Sequence, residues 1–349
     1  MSVRRILQTF DAWRERGEPL VLATVYDTAG STYSKAGHRI LIAANGDYQG
    51  LVSGGCLEGD LAERSRAVLA SGVPAAVTYD MRDEADDLWG LGVGCNGMIR
   101  VFLQPLSPAE GYEPFASIAA RLLGGGGVLA TVVEGTAHAP AGATLVAGDG
   151  ERARFGLDDA AAEALEAASG EALRGVNGRY VTDPTGLGVL YARLVPVPRL
   201  LVLGAGLDAV PLVNMAVQLG WLVTVADHRP AYLARGDLAA ADRVLGIEPA
   251  KLSTALELAK FDAVIVMSHH LVTDRTYLAQ LAEVDCAYLG VLGPRARKER
   301  LLGELGPAGA ALRPRLAGPV GLDIGADSPE SIALAILAEL QATLAHRRP

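Results

Sequence analysis

The apolar positions of this chain follow two regimes. Up to about residue 196, short alternating or β-branched runs are separated by glycine-bearing turns; beyond it, compact apolar runs alternate with helical stretches. The first regime occurs twice. VLATVYDTAGSTYSKAGHRILIAANGDYQGL (Val21 to Leu51) aligns with VLATVVEGTAHAPAGATLVAGDGERARFGL (Val128 to Leu157). Each copy predicts a strand, a loop closing on Ala36-Gly37 or Ala141-Gly142, a second strand, a turn at Asn45-Gly46 or Asp149-Gly150, and a return strand. A helix is expected after each, near residues 57–70 and 158–168. The pattern predicts an N-terminal α+β domain over residues 1–196, built from related units at about 20–106 and 127–195.

Val195-Pro-Val-Pro198 is a stiff connector into the second regime. There the pattern predicts strands at Arg199–Gly204, Trp221–Asp227, Ala263–Ser268 and Tyr288–Gly293, with helical stretches between them. This is the signature of a C-terminal Rossmann-like parallel-sheet domain over residues 199–345, which makes the chain α/β in class. The last helix has a legible start, with Ser328 as N-cap and Pro329 in the first helical position, then Ile332, Ile336 and Leu340 along one face.

Composition narrows the function classes. With 349 residues, half of them hydrophobic, the chain can bury two or three cores. A formal net charge of −9 argues against nucleic-acid binding. The first twenty residues read as an amphipathic helix rather than a signal peptide, and no run approaches the roughly 20 apolar residues of a membrane span. Cys56, Cys95 and Cys286 lack C-x-x-C spacing, which fits reduced thiols in a cytoplasmic protein better than disulfides or structural zinc.

Which loops carry chemistry follows from what the second copy has lost. It is about three residues shorter at Gly30–Lys35, and it has no counterpart of Ser53-Gly54-Gly55-Cys56-Leu57-Glu58 or of Gly90-Leu-Gly-Val-Gly-Cys95-Asn96-Gly97. The scaffold did not need these segments, so the candidate chemistry lies on the first copy. Gly54, Gly55 and Cys56 meet at a helix N-terminus, where a thiolate and a bound anion are both favoured; a tight turn with a buried cysteine is the plainer alternative. Glu58 is either a residue complementing the helix dipole or a ligand. Four glycines in the eight positions 90–97 point to unusual dihedrals or close approach to a ligand, with Cys95 and Asn96 presented there.

Farther along, Gly204-Ala-Gly206-Leu-Asp208-Ala follows a strand and opens a helix, and Asp227 ends the next strand 21 positions after Gly206. This is the dinucleotide fingerprint in its expected context, although the fold hosts many ligands and Asp208 would repel a pyrophosphate unless it turned away. His269 lies just past a strand's C-terminal end, the ligand-gathering edge of such sheets, and Arg295 or Arg297 is placed to grip a phosphate.

In their order, Gly30-Ser31-Thr32-Tyr33, Ser53–Glu58, Gly94-Cys95-Asn96-Gly97, Gly204–Ala209 with Asp227-His-Arg-Pro230, Met267-Ser-His269, Leu289–Gly293 with Arg297, and Gly321-Leu-Asp-Ile-Gly325 through Glu330 resemble the XdhC/CoxI family from about residue 20 to residue 340. The chain departs from the family's usual arginines in the Gly-Ser loop, where only Lys35 keeps a charge, and it has Ser268-His269 in place of Thr-His. The resemblance implies a maturation chaperone rather than a catalyst. Such a protein binds molybdenum cofactor (molybdopterin), protects it during sulfuration by a cysteine desulfurase, and delivers it to an apo-subunit of a molybdenum hydroxylase of the xanthine dehydrogenase or CO dehydrogenase type. On this reading Gly30, Ser31, Lys35, Gly54, Gly55, Cys56, Glu58, Cys95, Asn96, Gly204, Gly206, Asp227, His269 and Arg297 are the expected cofactor-binding residues. Cys56 and Cys95 would approach the metal, and a homodimer is expected. An NAD(P)-dependent oxidoreductase and a cofactor-free adaptor between desulfurase and hydroxylase remain as alternatives.

Overall fold

A computed structural model describes residues 2–82 and 97–347. The chain divides into two compact units, Met1–Pro196 and Val197–Pro349. The first contains α1 (Val3–Glu15), β1 (Leu20–Gly30), β2 (Arg39–Ala43), β3 (Tyr48–Gln49), α2 (Glu58–Ser71), β4 (Ala75–Asp80), β5 (Gly97–Leu106), α3 (Phe115–Leu123), β6 (Gly127–Glu134), β7 (Thr144–Gly148), β8 (Glu151–Phe155), α4 (Asp159–Ala172), β9 (Gly178–Thr182) and β10 (Gly188–Leu194).

Its strands form two antiparallel sheets of one topology, β3-β2-β1-β5-β4 and β8-β7-β6-β10-β9. The repeat read in the sequence extends to single hydrogen bonds. Gly37 N donates to Val25 O and Val25 N to His38 O; in the second copy Gly142 N donates to Val132 O and Val132 N to Ala143 O, all at 2.8 Å. Alternation along each central strand gives two faces. One packs on a helix: Val21, Ala23 and Val25 lie under Leu61 and Val68 of α2, and Ala130 and Val132 under Ala162 and Leu165 of α4. The other faces bring the sheets together through Tyr26, Phe102, Val133 and Leu190. Helix α4 runs to Ala172, four residues past the expected end.

The second unit contains β11 (Arg199–Leu203), α5 (Ala209–Gln218), β12 (Leu222–Asp227), α6 (Pro230–Leu233), β13 (Arg243–Gly246), α7 (Leu252–Ala255), β14 (Ala263–Val266), α8 (Leu271–Leu281), β15 (Tyr288–Val291), α9 (Arg295–Glu304), α10 (Pro307–Leu312), β16 (Leu316–Ala317) and α11 (Pro329–Arg347). The sheet is wholly parallel, in the order β13-β12-β11-β14-β15-β16. Taking β11 as the first strand, this is the 3-2-1-4-5-6 order of the doubly wound dinucleotide-binding fold. β13 and β16 were not expected: both are short edge strands, and neither carries the compact apolar run that marks the central four. Ser328 caps α11, its Oγ accepting from Ser331 N at 3.2 Å. The helix then lays Leu337 and Leu340 against Leu212, Val213 and Ala216 of α5. Among the described residues no helix is long and apolar enough to cross a membrane.

Leu340 is wholly buried in that contact. Leu340→Ala is expected to cost about 2–5 kcal/mol, the range for a large-to-small change at a packed site, read as an earlier urea transition.

Candidate functional site

At one end of the first sheet, β1 finishes at Gly30, paired with Gly97 at the start of β5. The loop between them and β2 leaves Ser31 and Lys35 exposed and buries Ser34. Thr32 Oγ1 donates to Ser34 O at 2.9 Å, and Lys35 Nζ lies 3.3 Å from Thr32 Oγ1. Ser34 Oγ donates to Leu51 O at 3.3 Å, which ties this loop to the segment carrying Ser53–Glu58. The loop that carries Ser31 and Lys35 is thus fastened to the segment leading into the Gly-Gly-Cys turn. Cys95 and Asn96 lie outside the described residues. Their neighbour Gly97 packs so closely on Ser31 and Thr32 that a Cβ there would strike both.

Glu58 organises the turn. It is fully buried, and its carboxylate accepts from Val52 N (2.8 Å), Ser53 N (2.9 Å), Ser53 Oγ (2.7 Å) and Gly55 N (3.1 Å). Ser53 Oγ in turn accepts from Leu57 N at 2.8 Å. Burial alone would raise the Glu58 pKa, but these donors outweigh it and hold the carboxyl below its usual range. With its acceptor positions taken, Glu58 shapes the loop and has little left to offer a ligand. Gly54 (φ 85°) and Gly55 (φ 116°) both take left-handed backbone with open space around them, so conformation rather than crowding requires glycine here. Cys56 stands half-buried just ahead of α2.

In the second unit the fingerprint turn joins β11 to α5. Gly204 rests on the backbone of Met267 and Ser268, leaving no room for a Cβ. Asp227, 1% exposed, accepts four hydrogen bonds: Arg229 N and Nε to Oδ1, both at 2.9 Å, and Ala205 N (2.8 Å) and Arg229 Nη2 (2.7 Å) to Oδ2. Burial opposes ionisation of Asp227, yet the Arg229 guanidinium and the amides outweigh it and lower the pKa. A carboxylate has about four acceptor positions, so the ribose-clasping role of such an acid is already filled by Arg229. The Arg229 guanidinium lies 3.8 Å from the Tyr232 ring centroid and that of Arg235 lies 5.0 Å from it, while Arg235 Nη2 donates to Ala205 O at 2.9 Å.

Asp208 does not turn away: its carboxylate lies against Gly206 on the cleft wall, where it pairs with His269 Nε2 at 2.6 Å. His269 has a left-handed backbone, φ 61°, which aims its ring back at the turn. Arg297 reaches inward: Nη2 meets Asp274 Oδ2 at 2.6 Å, and Asp274, 1% exposed, also accepts from Ser268 Oγ. Arg297 thus steadies the loop that bears His269.

A cleft of about 1180 Å³ opens at this edge of the sheet. Gly206, Leu207, Asp208, Tyr232, Arg235, Met267, His269, Gly293 and Pro294 form one side; Pro319–Ile324, Ala326 and the start of α11, with Ile332 and Ile336, form the other. Gly206 and His269 line it, whereas Asp227 and Arg297 stand behind its wall. Tyr232, Arg235 and the 319–336 wall were not among the expected site residues; the glycine-flanked Gly321–Gly325 segment was their one visible signal. Among the described residues no group of three or more His, Cys, Asp or Glu is gathered to hold a metal.

Two family models match the chain: the XdhC and CoxI family over residues 13–80, which spans both loops of the first unit, and the XdhC Rossmann domain over residues 200–340, which spans the cleft. A Bacillus subtilis (strain 168) protein named as a probable xanthine dehydrogenase subunit is 33% identical over 333 residues, 95% of this chain and 94% of that protein. The chain belongs to the XdhC and CoxI family. Similarity extends, at 24% identity over 335 residues, to the molybdenum cofactor insertion chaperone PaoD of Escherichia coli (strain K12), covering 95% of this chain and 85% of PaoD. The fold is that of a Bacillus halodurans crystal structure described as a xanthine dehydrogenase, with a TM-score of 0.77 and 30% identity over 100% of this chain and 97% of that one.

Replacing Glu58 by Gln puts an amide against backbone donors and should destabilise the first unit by about 1–3 kcal/mol at pH 7. Because the folded pKa of Glu58 lies below the usual 4.5, the wild type's advantage is present above that value and is lost as pH falls through the folded pKa. Urea titrations at pH 7 and at pH 3 should show the gap between the two proteins narrowing in acid.

Proposed function

We propose that this protein binds molybdenum cofactor as cargo, shields it, and delivers it to the apo-subunit of a molybdenum hydroxylase of the xanthine dehydrogenase or CO dehydrogenase type. The observation that carries this reading is the cleft at the carboxyl edge of the parallel sheet. Its volume, about 1180 Å³, exceeds the usual range for sites taking drug-sized ligands. Leu207, Leu322, Ile324, Ile332 and Ile336 offer apolar walls to a flat fused ring, and Arg235 and His269 offer polar contacts at its edge. In the first unit Cys56 offers a soft sulfur of the kind a molybdenum centre accepts. A nicotinamide dinucleotide would want an acidic acceptor for its ribose, and Asp227 is saturated by its own chain. That favours a carrier over an oxidoreductase, as does the likeness over most of its length to a protein named a cofactor insertion chaperone. A cysteine desulfurase, a second copy of the chain and a cytoplasmic setting complete the proposal.

Reconstitution is the direct test. Cofactor-free hydroxylase supplied with molybdenum cofactor should gain activity faster and to a higher level with this protein than without it; equal activation in both arms would sink the proposal. Cys56→Ala should remain folded, because the glycines and Glu58 set the loop, while cofactor retention or transfer falls. The two copies should also respond differently. Replacing exposed Ser31 and Lys35 should weaken cofactor binding with a melting temperature little changed, whereas replacing Thr136 and His138 in the second copy should alter neither. Equal losses of affinity from both pairs would mean that the two copies share the binding role.

A further inference from the structure

The first unit holds a charge that its described residues do not neutralise. Arg39 opens β2, and the alternation that sends Ile40 and Ile42 into the core beneath α2 sends Arg39 to the opposite face. There its Nε and Nη2 are closed off from solvent and have no hydrogen-bond partner among the described residues. Burial pushes the guanidinium pKa down, to about 10, and no carboxylate counters the shift. Buried cations are ordinarily paired, because an isolated one costs several kcal/mol of lost hydration.

Arg39 lines a cavity of about 360 Å³ together with Tyr33, His38, Leu51 and side chains of α1 and α3. His38 is exposed at the cavity's rim; its pKa is lowered by partial desolvation first and then by the charges of Arg39 and Lys35. Apolar walls, a planar fork of unused N–H donors and surrounding positive charge together describe a receptor for a small oxyanion. A guanidinium binds phosphate through two parallel hydrogen bonds, and the exposed Tyr33 and His38 leave an ion a way in from solvent.

We propose that Arg39, with Tyr33 and His38 beside it, forms a binding site for a phosphate-type oxyanion. Tyr33 and Leu51 belong to the two loops joined by the Ser34–Leu51 hydrogen bond, so a phosphate ester on the cargo is one source and free phosphate the other. Only the choice between these sources rests on the proposed function; the site does not.

Thermal unfolding of the full-length protein in inorganic phosphate, against chloride at equal ionic strength, tests it. Phosphate should raise the wild-type melting temperature saturably, and chloride should not. Arg39→Met should lose that response and, without phosphate, melt no lower than the wild type, because it removes an uncompensated buried charge. Arg39→Lys keeps the charge without the fork and should bind phosphate about tenfold to a hundredfold more weakly, which tests the paired donors without removing the charge. A wild type indifferent to phosphate overturns the proposal, as does an Arg39→Met or Arg39→Lys protein with the full wild-type response. Marked destabilisation of Arg39→Met in phosphate-free buffer overturns it too, since the chain itself would then be supplying the counter-charge. Loss of the phosphate response with cofactor transfer intact keeps the site and assigns it to free phosphate. Failure of transfer by the wild type bears on the proposed function alone.

Discussion

Asp227 sits at the end of the second strand of the parallel sheet with every acceptor position of its carboxylate taken, and the geometry around the cleft depends on that. Burying an ionised carboxylate is tolerable only when donors replace its water. Here they come from the fingerprint turn through Ala205 N and from the following loop through Arg229. One anion thus clamps the two segments that border the cleft on that side, and Arg229 in turn supports Tyr232. The same device recurs. Glu58 gathers the amides of Val52, Ser53 and Gly55, Asp274 gathers Ser268 and Arg297, and Glu339 accepts from Gly321 N and Tyr288 Oη. At each of these places an internal carboxylate holds the shape of a loop, whereas hydroxyls hold the loop at Thr32 and Ser34.

That economy explains which parts of the site could be read in the sequence. The duplicated strands were legible because alternation and the Ala-Gly closures reflect local backbone needs, and Gly37 and Gly142 make the same hydrogen bond in the two copies. The fingerprint was legible for a similar reason: Gly204 has no room for a Cβ against the backbone of Met267 and Ser268, and at Gly206 the Asp208 carboxylate takes that space. Edge strands β13 and β16 were not legible, since strands of four and two residues are too short to leave a periodic trace. Nor was the use to which the acids are put. An acid at a strand end after a glycine-rich turn reads as a ribose ligand, and only the folded Arg229 side chain, two residues on, reveals that the position is occupied. The far wall of the cleft lies more than a hundred residues beyond the turn it faces, a pairing made by the sheet order and invisible to any local pattern.

The duplicated unit adds a different constraint. Its two sheets share a core through Tyr26, Phe102, Val133 and Leu190, so neither copy can drift far in strand geometry without opening that layer. Divergence is channelled into the loops at the strand ends. The first copy keeps Ser53–Glu58 between its return strand and helix, while the second passes directly into a helix capped by Asp158, whose Oδ1 accepts from Ala161 N at 2.7 Å.

The network beneath the Gly-Gly-Cys turn also bears on how fast that turn can act. Because Glu58 ties residues 52–55 together within the folded chain, the entropy of ordering the loop belongs to folding and is not charged to a later encounter. A ligand that meets Cys56 there meets a shape already made. Under the proposed function, capture there would draw nothing on ordering residues 52–55, and differences in affinity between ligands would appear chiefly in how long each one stays.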